Sequence, residues 1–154
     1  MEIRRARVED IPGIDKLLYQ VHKVHSDGRP DVFKAGEKKY TDEELVELLK
    51  DDERPIYVAV EDGKVLGYSF LVFEYMTAKS MINMKSIYID DICVDEEARG
   101  KHVGTALYEN VIKVAKESGC AKITLNVWCL NTNAMKFYEA VGLTPLKIVM
   151  EKKL

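Results

Sequence analysis

The sequence predicts a layered domain of the α/β or α+β class, with helices packed on a sheet. Segments with apolar residues at helical spacing alternate with short runs that read as strands, the pattern of such layers. Turn signals fall between them, at Ser26 to Gly36, Asp62-Gly63, Gly119 and Gly142. At 154 residues, with 47% hydrophobic and 32% charged side chains, the chain has the size and composition of one globular domain with a sizeable core.

The elements follow in order. Glu2 to Val8 sets Ile3, Ala6 and Val8 against Arg4, Arg5 and Arg7 and reads as a first strand. Asp10 caps a helix from about Ile11, with Pro12 in the first turn, where a missing N–H costs nothing. Ile14, Leu17, Leu18, Val21 and Val24 mark its buried face, and Ser26 to Gly36 is a connecting loop. Thr41-Asp-Glu-Glu44 is a capping box for a second helix ending near Asp52. Ile56 to Val60 and Val65 to Tyr75 are strands joined at Asp62-Gly63. Met76 to Lys85 reads as a loop whose methionines pack over the sheet. Ser86 to Val94 is the central strand, followed by a helix to about Ser118 that Gly119 ends. Ala121 to Val127 is the next strand, Asn131 caps a short helix ending before Gly142, and Thr144 to Met150 forms the last strand.

Composition narrows the function. The net charge of −3 gives nucleic acid no basic surface and suits a cationic substrate. No apolar run approaches the ~18 residues of a membrane span, and no signal peptide opens the chain, so the expected location is the cytoplasm. Cys93, Cys120 and Cys129 form no Cys-x-x-Cys pair and read as small buried hydrophobes. His22 and His25 stand three apart on the first helix but have no further ligand at metal spacing, so no metal is expected.

The informative stretch runs from Asp90 to Ala106. A strand gives way to a polar loop and then a helix, with Arg99, Gly100, Lys101 and Gly104 at the junction. The first turn of a helix has unpartnered N–H groups and a partly positive end, and glycine lets an anion approach the backbone. The expectation is a phosphate cradle, with an ordinary βα turn as the alternative. Walker and dinucleotide-binding spacings are both absent.

Arg99-Gly-Lys-His-Val-Gly104-Thr-Ala resembles the pyrophosphate loop of the GCN5-related N-acetyltransferases, with His102 where that pattern carries its middle glycine. Asn131-Thr-Asn-Ala-Met-Lys-Phe-Tyr138-Glu-Ala-Val-Gly142 is similar to a second signature of the same family, and the likeness extends less distinctly over nearly the whole chain. The resemblance implies one acetyltransferase domain. Its sheet would be a twisted, mostly antiparallel mixed sheet of six to seven strands with about four helices. Acetyl-CoA would lie in a splay between the fourth and fifth strands.

It also implies roles. Arg99, Gly100, Lys101, His102, Val103, Gly104 and Thr105 would hold the pyrophosphate. Backbone groups of Ile92, Cys93 and Val94 would bind the pantetheine arm as an added strand, and Asn131 would contact that arm as well as capping its helix. Tyr138 would protonate the departing thiolate, a core tyrosine being the alternative. The strand Ile87 to Val94 looks like the acidic strand of polyamine and amino-sugar acetyltransferases, so Asp90 or Asp91 would bind or deprotonate an amine. Neighbours on a strand point to opposite faces, so only one of the two is expected in the cleft. His25, Arg29 and Phe33 are acceptor-site candidates. Trp128 and Cys129 are candidates too, with a core or interface role as the alternative.

The expected reaction is direct acetyl transfer to a primary amine in a ternary complex. The acceptor would be a small polyamine or amino sugar, with a protein N-terminus or lysine as the rival. A non-catalytic acyl-CoA-binding sensor, motivated by His102, is the rival of another class. The fold is compatible with a homodimer, and no membrane or nucleic-acid partner is expected.

Overall fold

The computed structural model describes residues 1–154. Five strands form one sheet in chain order: β1 (Glu2–Arg5), β2 (Ile56–Glu61), β3 (Lys64–Met76), β4 (Met84–Val94) and β5 (Lys122–Leu125). The pairs from β1 to β4 are antiparallel, and β5 joins β4 in parallel. Helices α1 (Ile11–Gly28) and α2 (Asp42–Leu48) cover one face, and α3 (Val103–Glu117) and α4 (Thr132–Ala140) belong to the other.

Local chemistry accounts for most boundaries. Thr41 Oγ1 accepts from the Glu44 N–H while the Glu44 carboxylate accepts from the Thr41 N–H, each at 3.1 Å, so the predicted capping box starts α2. Asp62 and Gly63 both take positive φ, as a two-residue hairpin between β2 and β3 requires. Gly119, at φ 72°, stops α3.

Two cores hold the layers. Ile14, Leu17 and Leu18 of α1 and Leu45 of α2 pack on Val58, Tyr68 and Phe70. Tyr108, Val111 and Ala115 of α3 pack on Leu71, Ile87 and Ile89.

Several expectations need correction. Asp10 does not cap α1: its carboxylate accepts from the Arg7 N–H at 2.8 Å and from Arg4 at 2.7 and 3.0 Å, holding a short turn before the helix. The first strand stops at Arg5, and α1 continues through Ser26 to Gly28 before the loop begins. Met81, placed over the sheet by the sequence, is 55% exposed in the β3–β4 loop. The sheet has five strands, not six or seven, because Thr144–Met150 makes no ladder. A strand exists only where an edge receives it, and within the chain nothing pairs with this segment.

Candidate active site

The loop before α3 is tied down from both sides. Asp95, 6% exposed, receives Lys16 at 2.6 Å and Gln20 at 3.3 Å from α1 and caps the turn Glu96–Ala98. Ala98, Val103 and Leu107 are buried against Ala59 of β2. Between these anchors, the backbone N–H groups of Gly100, His102, Val103, Gly104 and Thr105 donate to no acceptor in the chain. Gly100 has φ 79° and His102 φ 59°. His102 therefore takes the left-handed conformation natural to glycine, and His is among the residues that tolerate it. Its side chain is exposed, so the backbone keeps the cradle shape despite the substitution. A cleft of about 260 Å³ lies here, lined by Val94, Arg99, Gly100, His102–Thr105 and Phe137. Five free donors at a helix N-terminus beside Arg99 fit a pyrophosphate.

The sheet opens next to this loop. The β4–β5 ladder ends at Ile89 and Leu125, leaving β4 from Asp90 onward unpaired on that side. Across the strand, Phe70 pairs with Asp91 and Leu71 with Ile89, so Asp90 is the extra residue of a β-bulge. One residue thus breaks the β3 register at the point where β5 departs. Ile92, Cys93 and Val94 follow on the open edge, where an amide-bearing chain can add as a strand.

The bulge overturns the expectation that only one carboxylate can face the cleft. Asp90 accepts from the Tyr40 hydroxyl at 2.5 Å and Asp91 from the Tyr68 hydroxyl at 2.7 Å. Tyr40 stacks on Phe70 with ring centroids 5.4 Å apart, and Tyr68 meets Phe70 edge-on at 4.9 Å. Both carboxylates therefore lie on the α1–α2 side of the sheet. Lys39 Nζ stands 2.9 Å from Asp90. Asp91 has no cation in contact, and burial pushes its carboxyl up to about 6, with the Asp90 charge adding and Tyr68 and Lys39 opposing.

Tyr138 projects from α4, whose cap is Asn131: its side chain accepts from the Ala134 N–H at 3.2 Å. Burial raises the Tyr138 hydroxyl above its ordinary value, helped by Asp91, Cys93 and Tyr88 nearby. It is held as a neutral phenol, with its proton in place. Burial pushes the Cys93 thiol up to about 12, so it is no thiolate nucleophile. Contrary to the sequence reading of three buried cysteines, Cys93 and Cys120 are only partly buried and Cys129 is exposed.

The acceptor side has two parts. His25 stacks on Phe33 at 5.1 Å, Phe33 meets Trp128 at 5.2 Å, and Arg29 lies 5.7 Å over Trp128, so these predicted residues form one cluster. Burial lowers the His25 pKa, with His22 and Lys39 adding to it. Arg29 is held by Asp31 and Glu151, which leaves its guanidinium committed. His22 sits 2.5 Å from the Lys34 carbonyl and edge-on to Phe33. The second part is an open cleft of about 690 Å³ along α2, lined by Lys39, Tyr40, Glu43, Glu44, Glu47, Leu48, Asp51 and Arg54. Lys39, Tyr40, Tyr68 and Phe137 were not singled out from the sequence. Their partners lie far away in the chain, and no spacing connects Tyr40 to Asp90.

Comparison with known proteins agrees with this fold. The sequence profile of the acetyltransferase (GNAT) family matches residues 18–143. A thialysine N-ε-acetyltransferase of Bos taurus is 30% identical over 135 residues, 88% of this chain and 73% of that protein. An N-α-acetyltransferase of Sulfurisphaera tokodaii is 28% identical over 151 residues, 96% of this chain and 82% of its own. A solved structure of a mutant Bacillus halodurans protein, 30% identical, matches with a TM-score of 0.96 over 100% of this chain and 99% of that one.

Proposed function

Because the chain belongs to the acetyltransferase (GNAT) family, whose members use acetyl-CoA, we propose that it acetylates the primary amine of a small cationic acceptor, of the polyamine or amino-sugar type, in a single ternary complex. N-acetyl transfer is the family's reaction and this protein's. The acceptor class is carried by one observation: two adjacent carboxylates share one face, beside an acid-lined cleft, where the sheet opens.

Acetyl-CoA supplies an acyl group activated as a thioester. The free N–H groups from Gly100 to Thr105, with Arg99 and Lys101, hold its pyrophosphate. The open edge of Ile92–Val94 and the Asn131 side chain hold the pantetheine arm. Asp90 draws in the acceptor's ammonium, displacing Lys39. Asp91, with its pKa near 6, takes the proton that the ammonium must lose before the nitrogen can attack the carbonyl carbon. As the carbon–sulfur bond breaks, the Tyr138 phenol gives its proton to the sulfur.

A second reading is a peptide acceptor, either an N-terminus or a lysine. Two observations favour it: the cleft along α2 is open, and the Sulfurisphaera relative is an N-α-acetyltransferase. We further propose that the protein works as a homodimer, since the exposed apolar side chains from Leu146 to Met150 offer a surface for a second copy.

The test is acetyl-CoA binding by calorimetry beside thiol release with polyamines, amino sugars, basic N-terminal peptides and lysine peptides. Turnover confined to small amines supports the proposal, and turnover confined to peptides replaces it with the second reading. Tyr138→Phe should bind acetyl-CoA normally and lose roughly 10²–10⁴-fold in turnover. Full activity in that variant removes Tyr138 as the acid.

A further inference from the structure

Asp91, the proposed base, has one side-chain partner. The Tyr68 hydroxyl donates to its Oδ2 at 2.7 Å, and no side chain donates to Oδ1. The two residues are diagonal neighbours across the sheet, since Tyr68 pairs with Cys93 and Phe70 with Asp91. The Tyr68 ring is fully buried in the core with Ile14, Leu17 and Leu18 of α1, and it meets Phe70 edge-on at 4.9 Å. Packing fixes the ring, and with it the direction of the hydroxyl. A buried hydroxyl is costly unless it is hydrogen-bonded, and Asp91 is its one acceptor.

The bond has a chemical consequence. Burial, and then the Asp91 charge, raise the Tyr68 hydroxyl well above its ordinary value, so it stays a donor. A donor to the ionised form of a carboxyl favours that form. Tyr68 therefore opposes the burial that pushes Asp91 upward. It also occupies one carboxylate oxygen and leaves the other unengaged. Asp91 is only partly buried, whereas Tyr68 is wholly so, and the carboxylate is held from the core side.

We propose that Tyr68 is a positioning residue for proton removal: its hydroxyl holds Asp91 Oδ2, sets how readily the carboxylate takes a proton, and leaves Oδ1 to take it from the acceptor's ammonium. The role rests on Asp91 being the base. The proton passes from the ammonium nitrogen to Oδ1, and Tyr68 keeps its own. The other groups around Asp91 do not replace this bond. Tyr40, Tyr88, Cys93 and Tyr138 are each raised by burial and stay neutral near pH 7. Lys39 and Asp90 contact each other at 2.9 Å, and their charges act on Asp91 in opposite directions. α1 and α2 pack on this face through the apolar Ile14, Leu17, Leu18 and Leu45.

The test follows Asp91 in two ways on the full-length chain. Carbon-13 NMR of the aspartate carboxyls, with the Asp91 signal identified by its loss in Asp91→Asn, reads the titration with no acceptor or acetyl-CoA present. The pH profile of kcat/KM reads the base at work. Tyr68→Phe should move both upward from about 6, by roughly 1–2 pH units, as the loss of one hydrogen bond to a charged group predicts. At pH 5 its kcat/KM should fall roughly 10- to 100-fold, and at pH 9 it should approach the wild-type value. A ring-fluorinated tyrosine at position 68, a stronger donor of nearly the same shape, should move both downward, and it serves as the test if the phenylalanine variant does not fold. A carboxyl titration that moves in neither variant overturns the proposal. So does a kcat/KM lowered equally at every pH, which is what lost packing alone produces. A carboxyl that moves while the kinetic limb stays in place overturns instead the assignment of Asp91 as the base, and the role of Tyr68 with it.

Discussion

Asp90 and Asp91 are neighbours in β4, yet both turn to the same face of the sheet, one on the Tyr40 hydroxyl at 2.5 Å and the other on the Tyr68 hydroxyl at 2.7 Å. The bulge at Asp90 makes this possible. Their surroundings differ: Asp90 contacts the Lys39 ammonium, and Asp91 contacts no cation. Paired carboxylates in unlike environments divide acid–base work between them. Asp90 is suited to holding a cation and Asp91 to accepting a proton.

The pH dependence of kcat/KM should show this division. Asp91 acts as a base only when deprotonated, so activity should rise with pH through about 6. Asp91→Asn should lose roughly 10²–10⁴-fold in kcat/KM, together with that limb of the profile. A wild-type limb that persists in Asp91→Asn would assign the titration to another group.

The same carboxylate should cost stability. Its pKa is raised on folding from 3.8 to about 6, so the folded state favours the protonated form. The cost is absent below about pH 4, grows between 4 and 6, and is complete above 6. At 1.36 kcal/mol per unit it reaches about 3 kcal/mol, as an upper bound. Asp91→Asn, which can still accept from Tyr68, should therefore be more stable than wild type at pH 8 and equal to it near pH 4. Denaturant melts at the two pH values read this directly. Equal stability at both would mean that solvent or Lys39 already compensates the charge.

The elements were legible in the sequence because they rest on local chemistry. The Thr41–Glu44 box, the Asp62-Gly63 turn and the Gly119 stop each act within a few residues. The cradle was legible for the same reason, and at His102 it survives because the backbone conformation, not the residue type, shapes it. The bulge at Asp90 was not legible. It is a relation between β4 and β3, and the alternation rule assumes that no residue is added. Tyr40 and Lys39 reach Asp90 across 50 residues of chain, and no periodicity carries such a contact. The last strand failed for a related reason: its alternation is correct, but no edge within the chain receives it.

Asp90 and Lys39 should govern acceptor affinity more than turnover. The Lys39 ammonium stands 2.9 Å from the carboxylate that the acceptor's ammonium would use. A charge-assisted hydrogen bond contributes about 1.5–3 kcal/mol, so Asp90→Asn should raise acceptor KM roughly 10- to 100-fold with a smaller change in kcat. Lys39→Met removes the internal competitor and should lower KM. Added salt should raise KM in the wild type and much less in Asp90→Asn. If Lys39→Met raises KM instead, the lysine is a positioning residue for Asp90 and not a competitor.

Gly67 should prove intolerant of any side chain, for reasons that join the fold to the site. A Cβ there would lie 2.8 Å from the Cys93 carbonyl oxygen, 2.9 Å from Leu107 and 3.2 Å from Val103. The first of these is backbone and cannot rotate away. It lies on the β3 side of β4, whose opposite side is the edge proposed to receive the pantetheine arm, while Val103 and Leu107 seat the start of α3 just behind the cradle. Gly67→Ala must therefore push β4 or α3 away from β3, and overpacking of this kind costs about 1–3 kcal/mol. The melting temperature should fall by several degrees, and acetyl-CoA should bind more weakly because its two anchoring surfaces shift relative to each other. Thermal melts and calorimetry on the same preparation separate the two effects. A destabilised variant with wild-type acetyl-CoA affinity would show that the cradle and the β4 edge move as one unit. Unchanged stability would mean that β3 can yield locally, without disturbing either neighbour.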